Sequence, residues 1–356
     1  MPARERSIRL FCPALLIDGG IASYARTIVE ALDPAPVRCF DLDRHEPRHP
    51  LPASASVTRL ARQGPYALMT VRECLLDEGE LLFAHVGLTT PLAALPHRRR
   101  SRVTVLAHGR EMWQRLSLRH ALGLGAVDRL VFTTVFTRDQ FLECNGDRLR
   151  RDVAIEVVPL TAGRQAEAPV SPRPAADRRR VVCVSRLTTA EPMKGIATLV
   201  EAARFLPDSW EVRVVGDGPG RPAFEALAAR HGVDRRVVFT GRASEEQKRR
   251  EIDRADLLCL PSAQEGFGIV LLEALAAGRP CIGAAAGAIP EVLSPEVSEL
   301  CRYGDPRALA QAIERVGERL HRGELEPQRL RSFYDERYSF DLFARRWRAL
   351  LGVSSR

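Results

Sequence analysis

The feature that most restricts the fold of this chain is a regular alternation between short apolar runs and longer segments with helical periodicity. The runs have the length and the Val, Leu and Phe content of buried strands, and helical segments such as 21–32 fit between them. They occupy 7–16, 37–42, 81–86, 102–109, 129–134 and 154–160, and then 180–187, 210–218, 236–241, 256–262 and 279–285. Strands that alternate with helices form parallel sheets joined by right-handed crossovers. The sequence therefore predicts an α/β protein with doubly wound, Rossmann-like parallel sheets.

The alternation is interrupted at 161–180, a stretch rich in Pro, Ala and charge that lacks apolar periodicity and is typical of a linker. A chain of 356 residues with 45% apolar residues is long enough for two cores. We therefore predict an N-terminal domain over 1–168, a C-terminal domain over 169–335 and a closing amphipathic helix over 336–356. Packing of that helix back on the N-terminal domain is left open.

The basic residues do not form a pattern typical of nucleic-acid binding, although the formal charge is +8. Arginines are scattered or occur in short runs such as 97–102 and 177–180, without interleaved aromatic residues or a known binding motif. We predict no nucleic-acid partner; solvated helix ends, anionic lipid and phosphorylated ligands remain as explanations. Of the 53 Lys and Arg residues only Lys194 and Lys248 are lysine, and Lys194 is expected where a compact ammonium is needed.

Cysteine usage and hydropathy indicate a reducing, cytoplasmic setting. The eight cysteines include no C-x-x-C pair and lie mostly in apolar runs, as expected of reduced core thiols. The N-terminal apolar stretch contains Pro13 and lacks a small-residue cleavage site, so no signal peptide is predicted. No apolar run approaches the roughly 20 residues of a membrane span. We expect a cytoplasmic protein that at most lies peripherally on the inner face of a membrane.

Loops at the carboxyl ends of the predicted strands carry the candidate binding residues, because open α/β sheets bind ligands there. Gly19 and Gly20 precede a helix whose first amides can receive an anion, and a tight turn without a ligand is the alternative. Arg186 and Lys194 combine a planar fork with a point charge, which suits a diphosphate. As plain surface charges they would need no ligand.

The stretch EGFGIVLLE, 265–273, combines two carboxylates with a flexible loop and the start of a helix. Gly266 and Gly268 permit close backbone approach, and a helix that begins near Ile269 directs its positive dipole end to the same point. Glu273, about one turn inside, can bind a diol such as ribose, while Glu265 faces the group beyond the phosphates. The stretch therefore predicts a sugar nucleotide, and the alternative is two glutamates with solvent partners.

These residues resemble the retaining GT-B glycosyltransferases, specifically glycosyltransferase family 4, whose E-x7-E motif matches 265–273. Further similar stretches are Gly-Gly at 19–20, LAHG at 106–109, SRL to KG at 185–195, VGDGP at 215–219, FTGR at 239–242 and LPSAQEGFGIVLLEALAAGRP at 260–280. The resemblance spans nearly the whole chain and implies the GT-B fold, with two Rossmann-like domains facing across a cleft. It is most specific in the last stretch.

The resemblance also implies roles for individual residues. Arg186 and Lys194 would hold the diphosphate and stabilise charge on the leaving group. Glu265 and His108 would hold the donor sugar, although a lone histidine is more often a core or surface residue. The further donor-binding candidates are Gly20, Gly216, Asp217, Arg242, Gly266, Phe267, Gly268, Ile269, Val270 and Glu273, and the acceptor-binding candidates are Tyr24 and Arg110.

The implied activity is retaining, metal-independent hexosyl transfer from a UDP- or GDP-sugar to an acceptor hydroxyl, without cofactor, in polysaccharide, lipopolysaccharide or other glycoconjugate biosynthesis. In such enzymes the departing phosphate is thought to accept the acceptor's proton on the same face, so Glu265 is not assigned as a nucleophile. Asp41 and Asp43 imitate a metal-binding D-x-D but belong to the wrong architecture. A hydrolase or epimerase of the same fold and a non-catalytic nucleotide-sugar-binding subunit are the alternatives.

Two departures from the family pattern leave the acceptor open. The chain has VVPLTAG at 157–163 where many relatives have Asn-Gly, and Arg110 and Glu111 follow the His-Gly turn where an acidic residue often comes directly. A saccharide, a lipid-linked sugar or a small molecule would each fit. The segments 111–125 and 96–102 predict a basic, partly apolar face for anionic membrane, and an ordinary helix packed on its own sheet is the alternative.

Overall fold

A computed structural model of the chain describes residues 7–17, 19–43, 45–60, 63–76, 78–94, 101–170 and 177–354. The basic residues at 97–100 and part of the predicted linker, 171–176, lie outside the described residues. The chain groups into two compact units. Unit 1 comprises Met1–Leu160 with Phe340–Arg356, and unit 2 comprises Thr161–Ser339.

Unit 1 is built on a seven-stranded sheet in the order β3-β2-β1-β4-β5-β6-β7. Its strands are β1 Ser7–Cys12, β2 Val37–Asp41, β3 Ala55–Arg59, β4 Gly79–Phe83, β5 Ser101–Ala107, β6 Arg129–Phe132 and β7 Ala154–Val157. Its helices before the linker are α1 Gly20–Leu32, α2 Gln63–Leu76, α3 Leu118–Leu124 and α4 Val135–Asn145. Each of these strands pairs in parallel with its neighbours.

Three phenylalanines on adjacent strands form the centre of the unit 1 core. Phe11 on β1 is in register with Phe40 on β2 and with Phe83 on β4. Because these residues are paired in register on neighbouring strands, the ring of Phe11 stacks on those of Phe40 and Phe83 at centroid distances of 4.6 Å and 4.9 Å. All three side chains are fully buried. The sheet is therefore anchored at its middle strands, beside the loops that carry the candidate residues of this unit.

Unit 2 is built on a six-stranded sheet in the order β10-β9-β8-β11-β12-β13. Its strands are β8 Arg179–Val184, β9 Trp210–Val215, β10 Val237–Gly241, β11 Leu257–Leu260, β12 Cys281–Ala284 and β13 Ser298–Cys301. Its helices are α5 Ile196–Ala202, α6 Arg221–Arg230, α7 Glu245–Asp253, α8 Ile269–Ala276, α9 Ile289–Val292, α10 Pro306–His321 and α11 Pro327–Tyr338. Parallel pairing throughout confirms the predicted doubly wound architecture.

The order of the unit 2 strands creates a topological switch point. The first strand, β8, lies in the middle of the sheet between β9 and β11, so the crossovers leave from it in opposite directions. Open α/β sheets bind ligands outside the carboxyl ends of the strands at such a point. In unit 2 this position lies at the loops that follow β8 and β11.

The last helix, α12, spans Phe340–Leu351 and packs on α1 within unit 1. Phe343 and Trp347 lie 6.2 Å and 6.3 Å from the ring of Tyr24 on α1. Arg348 donates hydrogen bonds to the carbonyls of Ala31 and Asp33 at the end of that helix, at 2.8 Å and 2.6 Å. None of the helices in the described ranges is long and apolar enough to cross a bilayer.

Candidate functional site

Backbone contacts between neighbouring loops assemble the carboxyl edge of the unit 2 sheet. The amide of Ala263, after β11, donates to the carbonyl of Met193, after β8, at 2.8 Å. Gly195 has a φ of 71°, and a Cβ there would lie 2.0 Å from the carbonyl oxygen of Pro261. Only glycine fits this crossing point. The loops after β8 and β11 are therefore held in fixed register with each other.

The loop after β9 is joined to the same edge. Leu187 donates its amide to the carbonyl of Asp217 at 3.0 Å, and a Cβ on Gly216 would lie 2.0 Å from the carbonyl oxygen of Ser185. The Asp217 carboxylate accepts the amide of Gly218 at 2.8 Å. Gly216 and Asp217 thus shape the turn that borders the switch point, and whether they contact a donor stays a prediction.

Lys194 and Glu265 meet at the switch point. The Nζ of Lys194 donates to Oε1 of Glu265 at 2.7 Å, and the side chains are 26% and 16% exposed. The backbone behind Glu265 is supported by the next loop, because Ala288 donates its amide to the Glu265 carbonyl at 3.0 Å. The structure therefore places a cation and a carboxylate from two different loops in direct contact, with part of each still accessible.

Helix α8 begins beside this ion pair. Gly268 precedes it in the left-handed conformation, with a φ of 86°, and the first amides of a helix, here those of Ile269 and Val270, have no acceptor within it. Phe267 contributes only its backbone to this edge, because its ring is buried edge-on against Tyr338 at 6.0 Å. An anion bound near Lys194 would also meet the positive end of α8.

Arg186 and Arg242 lie at the same edge with exposed side chains. Arg186 donates to Oε1 of Glu191, within its own loop, at 2.6 Å. Arg186 is 68% exposed and Glu191 is 22% exposed, so water screens the pair in part and reaches the guanidinium. Arg242 directly follows β10, at the far side of the sheet from β11.

Glu273 lies inside α8 and contacts Lys248, a partner that the sequence analysis did not find. The Nζ of Lys248, on α7, donates to Oε1 of Glu273 at 2.8 Å and lies 2.7 Å from Oε2 of Glu245. Burial raises the pKa of Glu273, while the charge of Lys248 and its hydrogen bond lower it, with a net rise. Burial lowers the pKa of Lys248, but the carboxylates of Glu273 and Glu245 outweigh it and the net pKa is raised. Lys248 and Glu273 are brought together only by the tertiary structure. The one signal in the sequence was that Lys248 is one of only two lysines.

A pocket of about 170 Å³ opens beside Lys248 and Glu273. It is lined by α7, by the second half of α8 and by the segment 162–169. Small side chains, among them Ala276 and Ala277, form one wall, and charged side chains of α7 form another. Glu273, about one turn inside α8, therefore borders a recess within unit 2.

In unit 1, His108 lies in a cluster at the end of β5. Its Nε2 is 2.9 Å from the carbonyl oxygen of Ala84, and since a carbonyl only accepts, Nε2 carries the proton. Its Nδ1 is 3.8 Å from Oε1 of Glu111, which is too long for a hydrogen bond. Glu111 had been considered only as a departure from the family pattern. The neighbouring His85 lies 6.5 Å away, and burial, opposed by Glu111 and assisted by His108, lowers the pKa of His85.

The other unit 1 candidates have distinct surroundings. Tyr24 is buried, with its ring edge-on to His108 at 5.6 Å, so it reaches the cluster through His108. Gly20 is exposed as the first residue of α1, and Arg110 is exposed in the turn after His108. Oδ1 of Asp41, from the D-x-D imitation, accepts the amides of Leu15 and Asp43 at 2.9 Å and 3.1 Å and stabilises that loop.

The segment 111–125 divides into a packed half and an exposed half. Trp113 packs edge-on against Phe136 at 5.3 Å, and Arg115 forms an ion pair with Asp147 at 2.6 Å. The second half forms α3, where Leu118 and Leu122 are 73% and 58% exposed. The first half thus packs on unit 1 as a short 3-10 turn followed by a loop, whereas the helix α3 presents apolar side chains to solvent.

Comparison with known proteins identifies similar chains over most of the length. The family model described as "Glycosyl transferases group 1" matches residues 178–319. A GDP-mannose-dependent alpha-(1-6)-phosphatidylinositol monomannoside mannosyltransferase of Mycolicibacterium smegmatis is 30% identical over 337 residues, covering 83% of this chain and 85% of the relative. A D-inositol 3-phosphate glycosyltransferase of Mycobacteroides abscessus is 32% identical over 48% of this chain and 39% of the relative.

Solved structures share the fold across the whole chain. Sucrose-phosphate synthase from Thermosynechococcus elongatus superposes with a TM-score of 0.80 at 20% identity, covering 98% of this chain and 100% of that one. Anabaena Alr3699/HepE in complex with UDP superposes with a TM-score of 0.76 at 16% identity, again covering 98% and 100%. At such identities the likeness concerns the fold alone.

Proposed function

Because the chain belongs to the group 1 glycosyl transferases, with the GT-B fold, we propose that it transfers a hexose from a nucleoside diphosphate sugar to an acceptor hydroxyl with retention of configuration. The observation that carries this proposal is the contact between Lys194 Nζ and Glu265 Oε1, 2.7 Å, at the switch point of unit 2. A diphosphate needs a cation there, and the sugar beyond it needs a hydrogen-bond acceptor.

Lys194, Arg186 and the start of α8 bind the diphosphate in this proposal. Both side chains are paired with carboxylates, Glu265 and Glu191, each with an accessible part that an incoming dianion can reach. Cations placed in advance stabilise charge that develops on the departing phosphate without reorganising at the moment of reaction. The same positive charge removes the need for a divalent metal, so none is proposed.

Glu273 binds the ribose of the donor. Its Oε1 is held by Lys248, and among the described residues no group donates a hydrogen bond to its buried Oε2. A buried carboxylate oxygen without a donor is costly unless a ligand supplies one. A ribose hydroxyl is such a donor, and Arg242, in the loop between β10 and α7, then lies on the base side.

In the transfer step, the bond between the sugar C1 and the β-phosphate oxygen breaks, and the acceptor oxygen bonds to C1 on the same face. The proton of the acceptor hydroxyl passes to the departing phosphate, so the products are a glycoside and a nucleoside diphosphate. Glu265 positions the donor sugar and forms no covalent bond. His108, whose ring is held by the Ala84 carbonyl and by Tyr24, is a further proposed ligand of that sugar, and Arg110 is a proposed contact of the acceptor.

The Mycolicibacterium relative favours GDP-mannose as the donor to test first. Thermal shift with GDP, UDP, ADP and dTDP and their sugars identifies the base, since a ligand at 100 times its Kd adds about 2.7 kcal/mol to stability. The anomeric configuration of the product, read from its NMR coupling constant, then tests retention. An inverted product would contradict the mechanism, and release of free sugar or an epimer without acceptor would favour the hydrolase or epimerase alternative.

A second element of the proposal is a lipid-facing surface on unit 1. Helices α2 and α3 both pack against the turn Thr90–Ala94, and each exposes leucines: Leu68 and Leu75 on α2, Leu118 and Leu122 on α3. Exposed arginines lie on the same two helices. Apolar side chains interspersed with cationic ones are typical of a face that rests on anionic lipid, which would bring the enzyme to a lipid-linked acceptor.

Co-sedimentation with phosphatidylglycerol vesicles tests this surface. We expect binding at low salt that weakens as salt is raised, that is lost with phosphatidylcholine vesicles, and that Leu118→Glu with Leu122→Glu abolishes. Leu142→Glu is the matched control, because Leu142 is an exposed leucine on another helix, α4, of the same unit. Wild-type protein that stays in the supernatant at low salt would indicate a soluble acceptor.

A further inference from the structure

The two lysines of the chain contact the two glutamates of the 265–273 motif. Of 53 Lys and Arg residues only Lys194 and Lys248 are lysine, and the chain has 45 Asp and Glu residues. Lys194 nevertheless donates to Glu265, and Lys248 donates to Glu273. A chain that uses arginine almost everywhere else therefore keeps lysine where these two carboxylates need a partner. The chemistry that separates lysine from arginine should explain the choice.

Lysine binds a carboxylate through a single point, whereas arginine binds one through a fork. A guanidinium commonly donates two parallel hydrogen bonds and occupies both carboxylate oxygens, as Arg213 does with Glu251 at 2.7 Å and 2.8 Å. Lys248 occupies only Oε1 of Glu273, at 2.8 Å. The second oxygen, Oε2, is buried and receives no hydrogen bond from the part of the chain that the structure describes. A lysine thus leaves free the oxygen that an arginine would fill.

The position of Lys248 is fixed from two sides. Its helix, α7, begins with a capping box in which Ser244 and Gln247 exchange backbone and side-chain hydrogen bonds, at 2.8 Å and 3.2 Å. One turn into the helix, Nζ also lies 2.7 Å from Oε2 of Glu245. Lys248 is 18% exposed and Glu273 is 20% exposed, so solvent screens the pair only in part. The ammonium is therefore held in place before a ligand arrives.

We propose that Lys248 is a positioning residue for the donor: it fixes Oε1 of Glu273 with one hydrogen bond and leaves Oε2 free to accept a ribose hydroxyl. This inference rests on the proposed role of Glu273 in ribose binding. In this inference Lys248 contributes to recognition of the ribose through Glu273, without touching the donor itself.

The test compares each ribonucleoside diphosphate with its 2′,3′-dideoxy analogue, which lacks the ribose hydroxyls. Dissociation constants are measured by calorimetry for GDP and dideoxy-GDP and for UDP and dideoxy-UDP, and the tighter ribonucleotide defines the pair. We expect wild-type protein to prefer the ribonucleotide by about tenfold or more, or about 1.4 kcal/mol. In Lys248→Met this preference should fall to about twofold or less, while binding of the dideoxy analogue stays within about twofold of wild type.

Further variants separate the possible outcomes. Lys248→Arg keeps the charge but should also lose the preference, because the fork fills both oxygens. Arg250→Met, an exposed position on the same helix, is the matched control and should keep it. Glu273→Ala should lose the preference, and adding Lys248→Met to it should change nothing more.

If wild type shows no preference, ribose recognition by Glu273 is wrong. A preference retained in Lys248→Met, or equal weakening of both ligands, would overturn the role of Lys248 while leaving ribose binding intact; a preference retained in Lys248→Arg would overturn the single-point argument.

Discussion

Replacement of Lys194 by methionine is the sharpest test of the candidate site, because the structure supports separate expectations for activity and for stability. Methionine keeps much of the apolar stem and removes only the ammonium. Loss of one preorganised donor to a developing negative charge commonly costs about 10² to 10³ in rate. We therefore expect kcat to fall at least about 10²-fold, equivalent to about 2.7 kcal/mol of transition-state stabilisation.

The stability expectation follows from the exposure of the pair. Breaking a fully buried ion pair costs about 3–5 kcal/mol, but Lys194 and Glu265 are 26% and 16% exposed, so water can reach the remaining carboxylate. We expect Lys194→Met to lower the free energy of unfolding by about 1–2 kcal/mol. For a unit of this size, that corresponds to roughly 2–8 °C in Tm.

The assay is steady-state transfer with saturating acceptor, together with a thermal melt of the same preparation. Arg250→Met, a basic residue on the surface of α7, is the control for the loss of one positive charge and should change neither kcat nor Tm appreciably. If Lys194→Met melts as a folded protein and turns over within about threefold of wild type, Lys194 does not act on the leaving group.

Three further predictions concern the metal, the pH response and the last helix. Transfer should persist in excess EDTA, since Arg186, Lys194 and the start of α8 supply the positive charge; strict dependence on added Mg²⁺ would contradict this. Donor affinity should weaken as pH falls through a value above 4.5, because the pKa of Glu273 is raised and its protonated form loses the charge that Lys248 binds. The measurement is the Kd of the donor nucleotide against pH. A Kd that changes no more with pH in wild type than in Glu273→Gln would refute this prediction. Trp347→Ala should lower the free energy of unfolding by about 3–5 kcal/mol, because the side chain is fully buried; urea unfolding measures this, and a loss below about 1 kcal/mol would mean that α12 does not stabilise unit 1.

The parallel architecture could be predicted because each buried strand is a short run of apolar residues. The length and composition of such a run suffice to recognise it. The strands β3 and β13 were not predicted. In β3, Ser56 to Arg59 are exposed at the edge of the sheet, so no apolar run marks it, and β13 is a short edge strand with polar and acidic residues. Edge strands bury little, and hydrophobic patterning then carries little information.

The candidate site was predictable where its residues are neighbours in sequence. Glu265 and Glu273 stand in one loop and helix, so their spacing was visible. Lys248 lies 25 residues before Glu273, and only the packing of α7 against α8 brings them together. Glu111 looked like an irregularity because its relation to His108 depends on the turn between them. The burial of Tyr24 depends on α12, which lies at the other end of the chain.

The return of α12 to α1 means that unit 1 is not a continuous stretch of chain. Any chimera that joins the first part of one relative to the second part of another at a single junction would place a foreign α12 against Tyr24. Exchange of unit 1 requires two junctions, near 160 and near 339, so that the partners of Phe343 and Trp347 travel together. Evolution of a new unit 1 by recombination faces the same requirement, and the residues of α12 must coevolve with those of α1.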